Sequence, residues 1–244
     1  MSGHSKWSTI KHKKEATDFV RGRLFSRLSR AITIAIKAGG GPNPETNYRL
    51  RVAIETARNA NMPKSNIERV LAKAESAGDM YEARYEGFTP GGAGVLVDVV
   101  TDNKNRSAQE IKQVFERNGG QFATPGAVSF NFESKGLLTV EKTDKTEDQI
   151  LNLIDLNPED VIESESNLEV YVKPDSLHEI KQSIEAKGYK VMSASLIQKP
   201  KMQCLVTDKS SINQALALLE LLENHEDVQA VFTNLDIPDE LAPK

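Results

Sequence analysis

The chain has 244 residues, 39% hydrophobic and 27% charged, with 31 Lys and Arg against 35 Asp and Glu. That length predicts two or three domains rather than one, and no apolar run approaches the roughly 18 to 20 residues of a membrane-spanning helix. A single cysteine, Cys204, excludes an internal disulfide and favours a reducing, cytoplasmic setting, where a buried structural thiol is expected in the apolar run 202–206.

The net charge of −4 conceals an asymmetry. The first 75 residues hold fifteen cations and six anions, a local charge of +9, and the other 169 residues carry −13. A concentrated basic segment is the footprint of a polyanion ligand, and an acidic body repels one, so docking is expected through the N-terminal end. Residues 1–14 show no periodicity, no apolar core of a secretory signal, and the composition of a basic arm: Lys6, Lys11, Lys13 and Lys14, with His4, His12 and Trp7. Trp7 suits stacking on a base or plugging a helical bundle. A helix is predicted from about Glu15 to Ala38, because Val20, Leu24, Leu28, Ala31 and Ala35 recur at helical spacing. Arg23, Arg27, Arg30 and Lys37 fall on one stripe opposite that face, with Ile34 as the misfit. Residues 1–40 hold nine cations but only Glu15 and Asp18 as acids, whereas helix stability alone favours mixed signs at i, i+4 spacing. Gly39-Gly40-Gly41 ends the helix and lacks the Lys-Ser/Thr of a phosphate loop.

A second helix is predicted from Asn43 as cap and Pro44 at the first helical position. A third is predicted from Ser65, with Glu68 completing a capping box, to Gly78. Alternation then replaces the helical period. Tyr81–Phe88 and Gly94–Thr101 read as a hairpin about Pro90-Gly91-Gly92. A helix follows from Ser107, capped by Asn105 or Ser107, and a strand is expected over Ala127–Glu133 with Val128, Phe130 and Phe132 packed on one face. Residues 137–197 carry a complete β-α-β-β-α-β order, the ferredoxin-like arrangement. Met202–Thr207, Ser211–Asn224 and Val228–Asn234 form a last β-α-β.

The fold class expected is therefore α+β. A basic arm and three-helix domain (1–79) precede a discontinuous ferredoxin-like domain (80–134 with 201–244), into which a second, acidic one (135–200) is inserted, since an isolated β-α-β cannot bury an adequate core. The four histidines and one cysteine show no zinc spacing, and no nucleophile elbow or paired-Asp metal pattern occurs. No metal, cofactor, small-molecule substrate or catalysis is expected.

Gly3-His4-Ser5-Lys6-Trp7 with Ile10-Lys11-His12-Lys13-Lys14 resembles the opening signature of the YebC/PmpR family, which includes the mitochondrial translational activator of cytochrome oxidase. The likeness continues in Gly40–Pro44, Asn47–Arg51, Asn61–Arg69, Pro90-Gly91-Gly92 and Thr101–Ser107. The chain departs from the family pattern at Phe88-Thr89, where Tyr-Gly is usual, and at Phe122-Ala123, where Leu-Gly is usual. The resemblance implies a three-domain, cytoplasmic, non-enzymatic protein that binds nucleic acid: a transcriptional regulator on DNA, or alternatively a translation factor on the ribosome. It implicates His4, Lys6, Trp7, Lys11, His12, Lys13, Lys14, Arg49, Arg51 and Lys64; the stripe of Arg23, Arg27, Arg30 and Lys37 is added from charge geometry. A protein-interaction adaptor working through the acidic domains is the remaining alternative. Oligomeric state is not readable from the residues.

Overall fold

The computed structural model describes residues 18–39, 41–74, 78–164 and 167–241, so the basic arm, with His4, Lys6, Trp7, Lys11, His12, Lys13 and Lys14, lies outside the described residues. Three helices come first: α1 (Asp18–Ala38), α2 (Tyr48–Asn59) and α3 (Lys64–Ala74). Leu28, Ile32, Ala35 and Ile36 of α1 meet Leu50, Ile54 and Ala57 of α2, with Met62, Ile67 and Ala74 closing the core. Each fully buried Leu or Ile contributes about 1.5 to 3 kcal/mol, which an isolated helix of this length cannot supply.

Capping differs from expectation in a way that ties the helices together. Asn43 opens a turn, accepting the Glu45 N–H on its side chain, and α2 starts five residues later. The cap is Asn47, whose Oδ1 accepts the Leu50 N–H at 3.0 Å, while its Nδ2 donates to the Ala35 and Gly41 carbonyls at 2.8 Å each. One buried amide thus satisfies both the end of α1 and the start of α2. A Cβ at Gly39 would fall 2.2 Å from Asn47 Oδ1, so this approach requires glycine. In α3 the helix begins at Lys64, which places Ser65 inside the first turn rather than at the cap.

Beyond the helices stand strands β1 (Tyr81–Phe88) and β2 (Gly94–Thr101), helix α4 (Lys104–Arg117) and strand β3 (Gln121–Ala123). The expected strand over Ala127–Glu133 is instead a turn and a 3-10 helix, Ser129–Asn131, and strand β4 (Phe132–Glu141) begins there. The cause is Glu86. Its buried carboxylate accepts the N–H groups of Gly126 (2.8 Å), Val128 (2.6 Å) and Ser129 (2.9 Å), curling the segment round one anion. Val128 is buried, but Phe130, expected in the core, is 67% exposed.

Strand β4 continues into α5 (Thr146–Ile154), β5 (Asp160–Glu163), β6 (Asn167–Val172), α6 (Leu177–Ala186) and β7 (Val191–Pro200). The sheet order β5-β6-β4-β7 is ferredoxin-like, over a core of Leu138, Val140, Leu168, Val170, Leu153 and Ile184. The chain ends with β8 (Cys204–Leu205), α7 (Lys209–Glu223), β9 (Val228–Thr233) and β10 (Leu235–Asp236). Here β9 pairs with β2, giving the antiparallel order β3-β1-β2-β9 with α4 and α7 packed through Ile111, Phe115, Leu218 and Leu222. The segment expected as a strand of this sheet, Met202–Thr207, forms only β8, paired in parallel with β10. β1 fills the inner position instead, so this is a ferredoxin-like layout whose third strand comes first in the chain. The chain is mixed α+β, and it divides into two compact units: residues 132–199, and the helices with the β3-β1-β2-β9 sheet.

Candidate nucleic-acid interface

α1 is not a helix with one buried face. Ile34 stands outside the helical core yet is only 8% exposed, because α1 also meets β2 and β9. The cations expected on that side are therefore partly drawn into contacts within the fold. Arg30 is held by the sheet: its Nη1 donates to Asp227 Oδ1 at 2.6 Å and to the Glu226 carbonyl, and its Nη2 reaches Glu226 Oε1 at 3.1 Å. Lys37 Nζ donates to the Gly78 carbonyl. Arg23 and Arg27 are half-buried on α1.

The other expected cations also have partners. Arg49 pairs with Glu82 of β1. Arg51 donates to the Pro44 and Glu45 carbonyls at 3.1 and 2.9 Å, bracing the turn before α2. Lys64 lies 3.5 Å from Glu68, one turn along α3, and is largely exposed. Any phosphate reaching Arg30 or Arg51 must compete with these contacts, whereas exposed pairs such as Arg49–Glu82 and Lys64–Glu68 are weak in water.

Asp227 organises the junction. Its side chain is only 3% exposed, and it accepts from Arg30, from Arg106 Nη2 (2.9 Å) and from the Ser107 hydroxyl (2.6 Å). Burial alone would raise its pKa, but the Ser107 hydroxyl and the Arg106 and Arg30 guanidiniums bring it below the ordinary aspartate value. Arg106 lies in the first turn of α4. That helix is capped by Asn103, neither Asn105 nor Ser107, and the Arg106 guanidinium turns to Asp227 and Asp102. Glu110, His225 and Asp227 bring carboxylate and imidazole atoms within 4.8 Å of one another, a spacing that invites a cation. Their atoms are already used: His225 Nδ1 accepts the Asp227 N–H at 3.2 Å, its Nε2 faces Glu110 at 3.1 Å, and two guanidiniums occupy Asp227.

Arg30 also forms the wall between two concavities. One, of about 980 Å³, runs between α4 and the end of α7, where Arg106 and Arg117 are offset by Asp102, Glu110 and Glu226. The other, of about 310 Å³, lies between α1 and α3 and is lined by Ser29, Arg30, Thr33, Arg69, Val70, Lys73 and Ala74, with no carboxylate among the described residues. Arg69 and Lys73 were not among the cations expected at the interface. The shared groove was not legible, because it depends on how α1 and α3 cross.

Comparison with known proteins places the chain among relatives. A family model described as the TACO1/YebC protein N-terminal domain matches residues 5–77, and one for the TACO1/YebC second and third domain matches residues 80–235. A probable transcriptional regulatory protein of Dictyoglomus turgidum is 47% identical over 246 residues, covering 99% of this chain and 98% of its own. One from Desulfotalea psychrophila is 46% identical with the same coverage. The crystal structure of a conserved hypothetical protein from Aquifex aeolicus is 40% identical, with a TM-score of 0.87 over 96% of this chain and 98% of that one.

Proposed function

We propose that this chain, which belongs to the TACO1/YebC family, regulates transcription by binding DNA through its basic N-terminal domain. The names of its relatives support a regulatory role. The observation that carries the DNA-binding step is the local charge of +9 in the first 75 residues on an otherwise acidic chain. That charge includes the basic arm, with His4, Lys6, Trp7, Lys11, His12, Lys13 and Lys14. Arg23, Arg27, Lys37, Arg49, Arg51 and Lys64 of the three helices add their cations to the same domain, and Arg30 joins if it leaves Asp227. The reading requires no catalytic step, metal or cofactor. It calls for a cytoplasmic site of action, and no described helix is long and apolar enough to cross a membrane.

A second reading, a translation factor on ribosomal RNA, is favoured by one detail. Asn66 Oδ1 accepts from Arg69 Nη2 at 2.8 Å, so the two α3 side chains suited to base edges engage each other. That arrangement weakens base readout by α3, on which sequence-specific DNA recognition depends and backbone contact with folded RNA does not. Crosslinking in cells, followed by sequencing of bound DNA and bound RNA, separates the two. Promoter footprints are expected; enrichment of ribosomal RNA without them would replace the DNA reading with the ribosomal one.

A further inference from the structure

We infer that the groove between α1 and α3 seats a backbone phosphate of DNA, with Arg69 and Lys73 as its cationic ligands. The inference rests on the DNA reading above and adds a site to it. Arg69 and Lys73 stand four residues apart on α3, so both side chains project from one face, about one helical turn or 5.4 Å apart. Both residues are exposed, and among the described residues the groove they line has no carboxylate. Arg69 donates to Asn66 Oδ1 at 2.8 Å and Lys73 also keeps a contact within the fold, yet like charges at this spacing disfavour a helix, and an anion between them would relieve that repulsion.

The opposite wall is α1. Its Ser29 and Thr33 hydroxyls donate back to the Phe25 and Ser29 carbonyls at 2.8 and 3.0 Å. Their protons are spent within the helix, so an anion here must be held by the guanidinium and ammonium groups. Val70 and Ala74 keep the floor small and apolar, which leaves about 310 Å³ open to the ligand. Arg30, whose Nη1 donates to Asp227 at 2.6 Å, also lines the groove. A fork and a point charge bracketing one phosphate is the arrangement these two side chains serve best.

The test uses the full chain and a DNA duplex titrated across a salt series. Each phosphate neutralised contributes about 0.9 to the log–log salt slope, so Arg69→Gln with Lys73→Gln, which empties a seat for one phosphate, is expected to flatten the slope by about one unit. Thr33→Glu puts a carboxylate into the groove while leaving both cations, and is expected to weaken binding and flatten the slope with the melting temperature unchanged. If both variants keep the parent slope while Lys11, Lys13 and Lys14→Ala flattens it, the groove is not the seat and the DNA reading stands. If all three keep it, the DNA reading itself fails, and this site with it. A loss seen on RNA of the same sequence but not on DNA overturns the assignment to DNA.

Discussion

Glu86 and Asp227 show how single carboxylates set the shape of this protein. Burial alone would raise the Glu86 pKa, but N–H bonds from Gly126, Val128 and Ser129 bring it below the ordinary glutamate value. A carboxyl whose pKa is lowered by folding stabilises the native state above its unfolded pKa, and that contribution is lost as pH falls through the folded value. Stability is therefore expected to fall as pH drops below about 4. Glu86→Gln should lose about 1 to 3 kcal/mol at pH 7, since the amide turns a donor toward a backbone N–H. Its stability should also fall less steeply in acid than the parent's; urea melts from pH 3 to 7 would show both effects, and parallel curves would contradict the assignment. Arg30→Ala removes a charged hydrogen bond to Asp227 and should cost about 1.5 to 3 kcal/mol, with Arg30→Lys intermediate because it cannot fork. An Arg30→Ala melt indistinguishable from the parent's would mean that the contact with Asp227 is not formed in solution. Neither carboxylate's role was legible in the sequence, because Asp227 finds its partners 120 and 197 residues away and Glu86 finds its own about 40 away.

At the level of elements, local pattern was a good guide wherever local forces decide. The hairpin of β1 and β2 has the bounds that alternation and the Pro-Gly-Gly turn imply, and Gly91 and Gly92 adopt the positive φ that turn requires. Pattern misled where a distant group intervened. Asn43 has a good capping sequence, yet Asn47 caps α2 because its amide also reaches Ala35 and Gly41. Asn47→Ala should therefore cost more than the roughly 1 kcal/mol of a simple cap, and hydrogen exchange at the Leu50 amide should accelerate with it. A loss no larger than that of a simple cap would show that the tie to α1 carries no stability. Phe130 and Phe132 alternate as strand residues should, but the turn held by Glu86 faces one to solvent and leaves the other buried. Phe130→Ser is expected to shift stability by no more than about 0.5 kcal/mol, whereas Phe132→Ala should cost about 3 to 5. Similar urea midpoints for the two would contradict the burial described.

For the whole molecule, composition was informative about class and charge, and element order about the ferredoxin-like sheet of residues 132–200. The other sheet was harder to foresee, because its inner strand, β1, precedes the elements it joins, and a β-α-β order does not say which strand lies between. The candidate interface was legible as charge but not as shape. Counting cations located the basic end; it could not show that Arg30 would be bound by Asp227, or that Arg69 and Lys73 would share a groove with α1.

The central claim is that nucleic acid meets the N-terminal end and not the acidic body. The salt dependence of DNA affinity tests it most directly, measured on the full chain and on two triple variants. Lys11, Lys13 and Lys14→Ala should weaken binding to every sequence and flatten the log–log slope by roughly two to three units. Lys145, Lys173 and Lys187→Ala, which removes three exposed cations from the acidic unit, should leave that slope unchanged. A slope that moved with the second set and not with the first would contradict the account.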